Sequence, residues 1–202
     1  MGYYLMGFDV IGVDIAAQKR YPFPFFQADA LEFVKAFGHE FDAIHASPPC
    51  QAFSPLAKRW PERDYPDLIT PLRPLLENTG RPYVIENVPA APLQNPVTLC
   101  GSTFGLVTSG LQLRRHRAFE TNWPLPPIAC AHYELPVISV TGHAGRASRN
   151  NSGSSLERRE AMQIPWLGAK DIAEAIPPAY TRYIGSHLFQ FLTRAEAVSD
   201  AA

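Results

Sequence analysis

The chain has 202 residues and is 46% hydrophobic, enough for one sizeable core and little more, so a single domain is expected. Eighteen basic against nineteen acidic residues leave a net charge of -1, which excludes capture of nucleic acid by global attraction and leaves only a local basic face for it. The three cysteines, Cys50, Cys100 and Cys130, lack CxxC spacing, which argues against a disulfide framework or a zinc site, and no apolar run reaches the roughly 18 to 20 residues of a bilayer span. The N-terminus lacks the basic flank and cleavage site of a signal peptide, so a soluble cytoplasmic protein without membrane contact is the expectation.

In chain order, short apolar runs ending in a polar or acidic residue alternate with turn or helix signals, the rhythm of parallel strands joined by helices. FDVIGVDI (8–15) reads as a strand closing on Asp14, and FPFFQADAL (23–31) as one closing on Asp29. ALEFVKAF (30–37) carries apolar residues at i, i+3 and i+4 and reads as a helix. FDAIHASPPC (41–50) reads as a strand ending at Cys50; LITPLRPLLENTG (68–80) reads as a helix with a glycine C-cap, its two prolines weakening the pattern. PYVIENVP (82–89) is a further strand with Glu86 at its end. The alternation predicts an α/β sheet and places Asp14, Asp29, Cys50 and Glu86 at the carboxyl ends of successive strands, where open α/β sheets bind ligands. Beyond residue 90 the texture changes to prolines, then LQLRRHRAFET, then TGHAGRASRNNSGSSLERRE (141–160), a polar loop in which Arg146, Arg149, Arg158 and Arg159 outnumber Glu157 and Glu160. AYTRYIGSHLFQFLTRAEA reads as a closing helix, and no internal repeat is present.

A cysteine at a strand tip is by default a small hydrophobe. Proline before Cys50 removes a backbone donor and fixes φ, and Gln51, Ala52 and Ser54 after it are small or polar, as in a loop that approaches a ligand. From these residues alone a reactive and a structural thiol both stay open. Glu86, inside the apolar run YVIENV, must point into a site or be paired, because an unpaired buried carboxylate is costly. Beside a thiol it suits chemistry in which a ring nitrogen is protonated as sulfur attacks; a structural ion pair with an arginine is the alternative. Asp14 and Asp29 suit the ribose and adenine of an adenosine-containing cofactor, and equally suit ordinary helix N-caps. In LRRHRAFE, with Arg114 leading, alternation sends Arg115 and Arg117 to one face, aimed at carboxylate, phosphate or solvent, and His116 to the other. The six histidines form no HxxxH or HExxH pattern, so no metal is inferred.

Taken together these stretches resemble the DNA (cytosine-5) methyltransferases of small phage or solitary bacterial type, over nearly the whole chain. SPPCQAFSP is similar to the family's Pro-Cys-Gln nucleophile loop, VIENVP to its Glu-Asn-Val motif and LRRHRAF to the strand whose alternating arginines end beside the target base. VIGVDI and QADAL stand where the family keeps its ribose-binding and adenine-binding acids; ERREAMQIPW resembles the segment closing the recognition region, and AIPPAYTRYIG the helix returning to the cofactor pocket.

The resemblance implies a class I S-adenosylmethionine-dependent methyltransferase (Rossmann-like) fold with residues 1–121 as catalytic core, 122–157 as a minimal target-recognition region and 158–202 as the return to the core. It implies that Cys50 attacks C6 of a flipped-out cytosine while Glu86 holds N3 and supplies its proton, with Arg117, and Arg115 behind it, orienting the pyrimidine. Asp14 would bind the ribose of S-adenosylmethionine, Ile15 pack on its adenine and Asp29 accept from the adenine amine, with Ala30 and Pro48 completing the pocket. Gln51, Ser54, Lys58, Arg59 and Arg63 would close over double-stranded DNA, joined by Arg146 and Arg149 from the recognition region. Cys100 and Cys130 have no role in the match and are expected to be structural. The family opens with a first strand and an FxGxGG-like cofactor loop, whereas MGYYLMGFDVIGVDI corresponds to the helix after that loop and the second strand, so that strand and loop are expected to be absent and sheet edges exposed. IPPAY stands where the family often has Gly-Asn-Ser, and the small recognition region implies a short site. A monomer is expected unless a second chain supplies the strand. The alternatives are a catalytically silent DNA-binding remnant or one subunit of a split methyltransferase, with RNA as a possible substrate in place of DNA.

Overall fold

Period-two apolar segments become strands here only where nothing nearby competes for the backbone. In a computed structural model, which describes residues 1–54, 64–140, 153–168 and 171–199, the first of them is Gly12–Asp14 (β1) and the second Phe25–Gln27 (β2). Both are shorter than predicted. Phe8 leaves the first run to make edge-on ring contacts with Tyr3 and Phe189. Asp29 leaves the second run to cap helix α1, Ala30–Phe37, with its Oδ1 accepting from Leu31 N at 2.9 Å and Glu32 N at 3.1 Å. That helix covers the residues its apolar spacing predicts.

Ile44–Ala46 (β3) likewise stops early, because Pro48 and Pro49 carry no N–H with which to continue a ladder. Helix α2 spans Ile69–Asn78; its Asp67 accepts from Ile69 N at 2.8 Å, and Pro74 lies inside it. Tyr83–Asn87 (β4), Val97–Leu99 (β5) and Arg117–Thr121 (β8) join β3 in a four-stranded sheet ordered β3-β4-β8-β5, parallel between β3 and β4 and antiparallel between β4 and β8. Among the described residues β1 and β2 pair only with each other, so the continuous sheet expected from the strand rhythm is divided in two. The protein is mixed α/β.

The chain forms two compact units. One comprises Met1–Val10, Leu99–His116 and the described part of Ile128–Ala202; the other comprises the described part of Ile11–Thr98 with Arg117–Pro127. In the second unit Ile69, Leu72 and Leu76 of α2 bury against Tyr83 and Ile85 of β4, with Leu31, Val34, Ile44 and Phe53 packed around them. In the first unit Val107–Thr108 (β6) and Leu111–Leu113 (β7) form a hairpin whose two turn residues, Ser109 at φ 47° and Gly110 at φ 73°, have the positive φ values that a two-residue turn between right-twisted strands requires. Val137–Ile138 (β9) adds in parallel to β7. Ser155–Met162 (α3) begins with a capping box between Ser154 and Glu157, and Pro178–Ser199 (α4) is the closing helix. Tyr3 and Met6 approach α4 so closely that a Cβ on Gly185 would stand 3.0 Å from the Tyr3 ring. No helix among the described residues is long and apolar enough to cross a membrane.

Candidate active site

All five residues of β4 are buried, and alternation gives them two environments. Tyr83 and Ile85 face α2, whereas Val84 and Glu86 face the other way. In register Glu86 stands opposite Phe119 of β8, so Arg117, two residues away along the same face, is its diagonal neighbour. The Arg117 Nε lies 3.1 Å from Glu86 Oε1, with the two side chains only 15% and 8% exposed. A carboxyl group this deep is stable as the neutral acid or, when ionised, with such a counter-charge.

The opposite face carries a second buried acid with a different fate. Glu120 receives both Nε and an Nη of Arg73, at 2.7 and 2.9 Å, and the Gln94 N–H at 2.7 Å. This bidentate, backbone-braced arrangement saturates the carboxylate and ties α2 to β8. Glu120 is thus the structural acid of the sheet.

The Cys50 loop is pinned to β4. With Pro48 and Pro49 lacking N–H groups, their carbonyls are what they can offer, and Asn87 Nδ2 donates to the Pro48 carbonyl at 2.9 Å while its Oδ1 accepts from Val88 N at 2.9 Å. Cys50, half-buried, then opens a single 3-10 turn, Gln51–Phe53, its carbonyl accepting from Phe53 N at 3.1 Å, and Phe53 inserts into the α2–β4 core. The thiol-bearing loop and the Glu86 strand are therefore coupled through adjacent residues, Glu86 and Asn87.

His45 shares this face. It pairs in register with Val84, its ring meets Phe119 edge-on at 6.4 Å and its Nε2 lies 3.2 Å from Ser47 Oγ. Burial lowers its pKa to about 4. Because the folded value lies below the ordinary 6.5, the unfolded chain binds the extra proton between them, so the contribution of a neutral His45 is fully present above about pH 6.5 and is lost as pH falls toward 4. Allowing for the ring's remaining solvent contact, about 2 kcal/mol is at stake. Urea melts of wild type and a His45→Phe variant across pH 4 to 7 should show the variant with the flatter profile; parallel profiles would refute the assignment.

Asp14 and Asp29 sit at the carboxyl edge of the β1–β2 pair. Asp14 Oδ1 accepts from Ala16 N at 2.8 Å and Oδ2 from Gln18 Nε2 at 3.1 Å, which orients the carboxylate in the turn and leaves it lone pairs for further donors. Asp29 spends Oδ1 on the α1 cap, and its Oδ2 takes no hydrogen bond among the described residues. Ile15, between them in the chain, is 71% exposed, and Ala30 is exposed at the start of α1. An exposed branched aliphatic flanked by two acids fits an adenosine group: a ring face to pack and hydroxyl or amine donors to accept.

No model of a known protein family matches this chain, and no curated protein does. The site therefore stands on its geometry.

That geometry joins Glu86 to Arg117 and the Cys50 loop to Asn87. LRRHRAFE is not one strand: β7 ends at Leu113 and β8 begins at Arg117, so the alternation expected to put Arg115 and Arg117 on one face does not run through the segment. Arg115 instead donates to the carbonyls of Ala173 at 2.7 Å and Val140 at 3.4 Å, and Tyr180 Oη donates to the Arg115 carbonyl at 2.5 Å. It binds together segments of the first unit. Gln51 is exposed and Ser54 half-buried after Cys50, whereas Lys58, Arg59, Arg63, Arg146 and Arg149 lie outside the described residues. Asn87 and His45 are the site residues that sequence reasoning passed over. A polar residue next to Glu86 in a buried strand, and a histidine in the apolar run before Cys50, were the available signals.

Proposed function

We propose that the protein is a cytosine-5 methyltransferase acting on DNA, with Cys50 as nucleophile. The observation that carries this reading is the coupling of a cysteine loop, through Asn87 and Pro48, to a strand whose buried glutamate is paired with Arg117. Nucleophilic addition to a pyrimidine needs a thiolate on one side of the ring and a proton donor at N3, held at fixed separation, and adjacent residues of β4 hold both.

In this mechanism Glu86 enters as the neutral acid; the Cys50 sulfur forms a bond to C6 as the C5–C6 π pair moves to C4–C5 and the C4–N3 π pair to N3, which takes the Glu86 proton. Arg117 supplies the counter-charge for the carboxylate that remains and directs guanidinium hydrogens to O2. S-adenosylmethionine supplies the electrophilic methyl group that C5 takes up. Loss of the C5 proton to solvent, departure of the Cys50 thiolate from C6 and return of the N3 proton to Glu86 restore the ring and the residues. Asp14 would accept from the ribose hydroxyls, Ile15 would cover the adenine and Asp29 Oδ2 would accept from its amine. The base is presented extrahelically, because a cysteine cannot reach C6 inside a stacked duplex. A class I Rossmann-like arrangement is the fold this reading calls for.

One observation favours a second reading, a split enzyme. β3 has a single strand partner among the described residues, so its other edge can accept a strand from a second chain.

A mechanism-based trap tests the first reading. Duplex DNA containing 5-fluorocytosine, incubated with the full chain and S-adenosylmethionine, should yield a denaturation-resistant adduct that maps to Cys50, because fluorine cannot leave C5 as the proton does. The adduct should vanish in Cys50→Ser. An adduct that persists in Cys50→Ser, or none with DNA at any protein concentration, would sink the assignment; an adduct on RNA alone would move the substrate to RNA.

A further inference from the structure

In the first unit four metal-ligating side chains converge. Cys100, His116, Cys130 and His132 each offer one ligand atom, and these atoms all lie within 4.8 Å of one another. Cys100 Sγ is 3.5 Å from His132 Nε2, and Cys130 Sγ is 3.4 Å from His116 Nε2. In a tetrahedral zinc site, with Zn–S about 2.3 Å and Zn–N about 2.0–2.1 Å, sulfur and nitrogen ligands stand about 3.5 Å apart. Both observed edges have that length. The two imidazoles meet edge-on with their centroids 5.3 Å apart.

The surroundings explain why a metal would be useful here. Cys130 and His132 lie in Ile128–Pro136, a stretch without regular secondary structure in which Ile128, Tyr133 and Leu135 are all at least 36% exposed, so little apolar burial holds it. Its C-terminal half is tied down by the buried amide of Gln112, which donates to the carbonyls of Tyr133 and Leu135 and accepts from Tyr133 N at 3.1 Å. Its N-terminal half has the Thr103 hydroxyl on the Ala129 carbonyl at 3.1 Å, and otherwise the convergence on Cys100 and His116. Cys100 is fully buried directly after β5, and His116 follows β7, so both are fixed by the sheets.

We propose that Cys100, His116, Cys130 and His132 form a structural zinc site that staples Ile128–Pro136 to the strand ends bearing Cys100 and His116. Two thiolates and two neutral imidazoles suit a borderline-soft divalent ion, and four protein ligands leave no open position for substrate or activated water, so the site is structural. Binding releases the two thiol protons to solvent. Ser102 Oγ, 3.0 Å from Cys100 Sγ, is placed to donate to the thiolate as an outer support. The sequence expectation of no metal rested on the missing CxxC and HxxxH spacings. Here the ligands come from three places in the chain, Cys100, His116 and the Cys130/His132 pair, and folding supplies the proximity that spacing does not.

The full chain, purified without chelator and analysed for metals, should carry one zinc per molecule. Mercurial titration of its thiols should release that zinc as Cys100 and Cys130 react, equally in wild type and Cys50→Ser. Cobalt substitution should give the intense visible bands of tetrahedral thiolate coordination. Cys130→Ala and His132→Ala should lose stoichiometric zinc. Because these variants can fail to fold, Ser102→Ala, which keeps every ligand, should weaken zinc roughly tenfold in chelator competition. Wild-type protein that takes up neither zinc nor tetrahedral cobalt, or a Cys100–Cys130 disulfide in protein purified under reducing conditions, would overturn the proposal.

Discussion

Glu86→Gln is expected to lower methyl transfer by about 10²–10⁴-fold, the usual contribution of a positioned proton donor. Glutamine preserves the shape of the side chain in β4 and can still accept from Arg117 through its carbonyl oxygen, so the fold should survive with a loss of about 1–3 kcal/mol. It cannot pass a proton to N3. Incorporation of labelled methyl into cytosine-containing duplexes measures the first effect, and a urea melt the second. The thiol remains, so the fluorinated trap should still form the Cys50 adduct, at a rate reduced in parallel with turnover. A Glu86→Gln protein that methylates within a few-fold of wild type would reduce Glu86 to a structural partner of Arg117.

Arg73→Ala is expected to be the most damaging change to stability, at about 3–5 kcal/mol, because it leaves the 2%-exposed Glu120 charged and without its bidentate partner. Against the ~5–15 kcal/mol that holds a typical domain together, this is about a fifth or more of the total. The Glu120→Leu change in the same background should recover part of the loss, since removing both charges leaves no buried ion to solvate. Chemical denaturation of the wild type, the single and the double variant gives the coupling directly. A loss below about 1 kcal/mol for Arg73→Ala, the range of exposed surface pairs, would show that water reaches Glu120 and that the pair is not structural.

The two glutamates show how far local pattern reaches. Glu86 is conspicuous in the sequence as an acid in an apolar run, and a structural ion pair with an arginine was one of its two possible readings; the partner turns out to be Arg117, one of the residues independently of interest. Glu120, in RAFET, gives no comparable warning, because its partner Arg73 sits 47 residues earlier on a helix. Arg115 illustrates the converse. Its spacing from Arg117 is correct for one strand face, but the chain leaves β7 after Leu113 and β8 starts at Arg117, and the Arg115 guanidinium donates to the carbonyls of Val140 and Ala173.

What the sequence determined by itself is what near neighbours decide. The α1 helix follows from its apolar spacing and the Asp29 cap, the position of Cys50 just past a strand follows from the two prolines, and the burial of Glu86 follows from the run around it. Tertiary structure alone decided the meetings between distant residues: Asn87 with the Pro48 carbonyl, Arg73 with Glu120, and Cys100, His116, Cys130 and His132 around a common centre. The physical reason is that hydrogen bonds, ion pairs and metal ligation act over a few ångströms of space, and only local periodicity converts separation along the chain into separation in space.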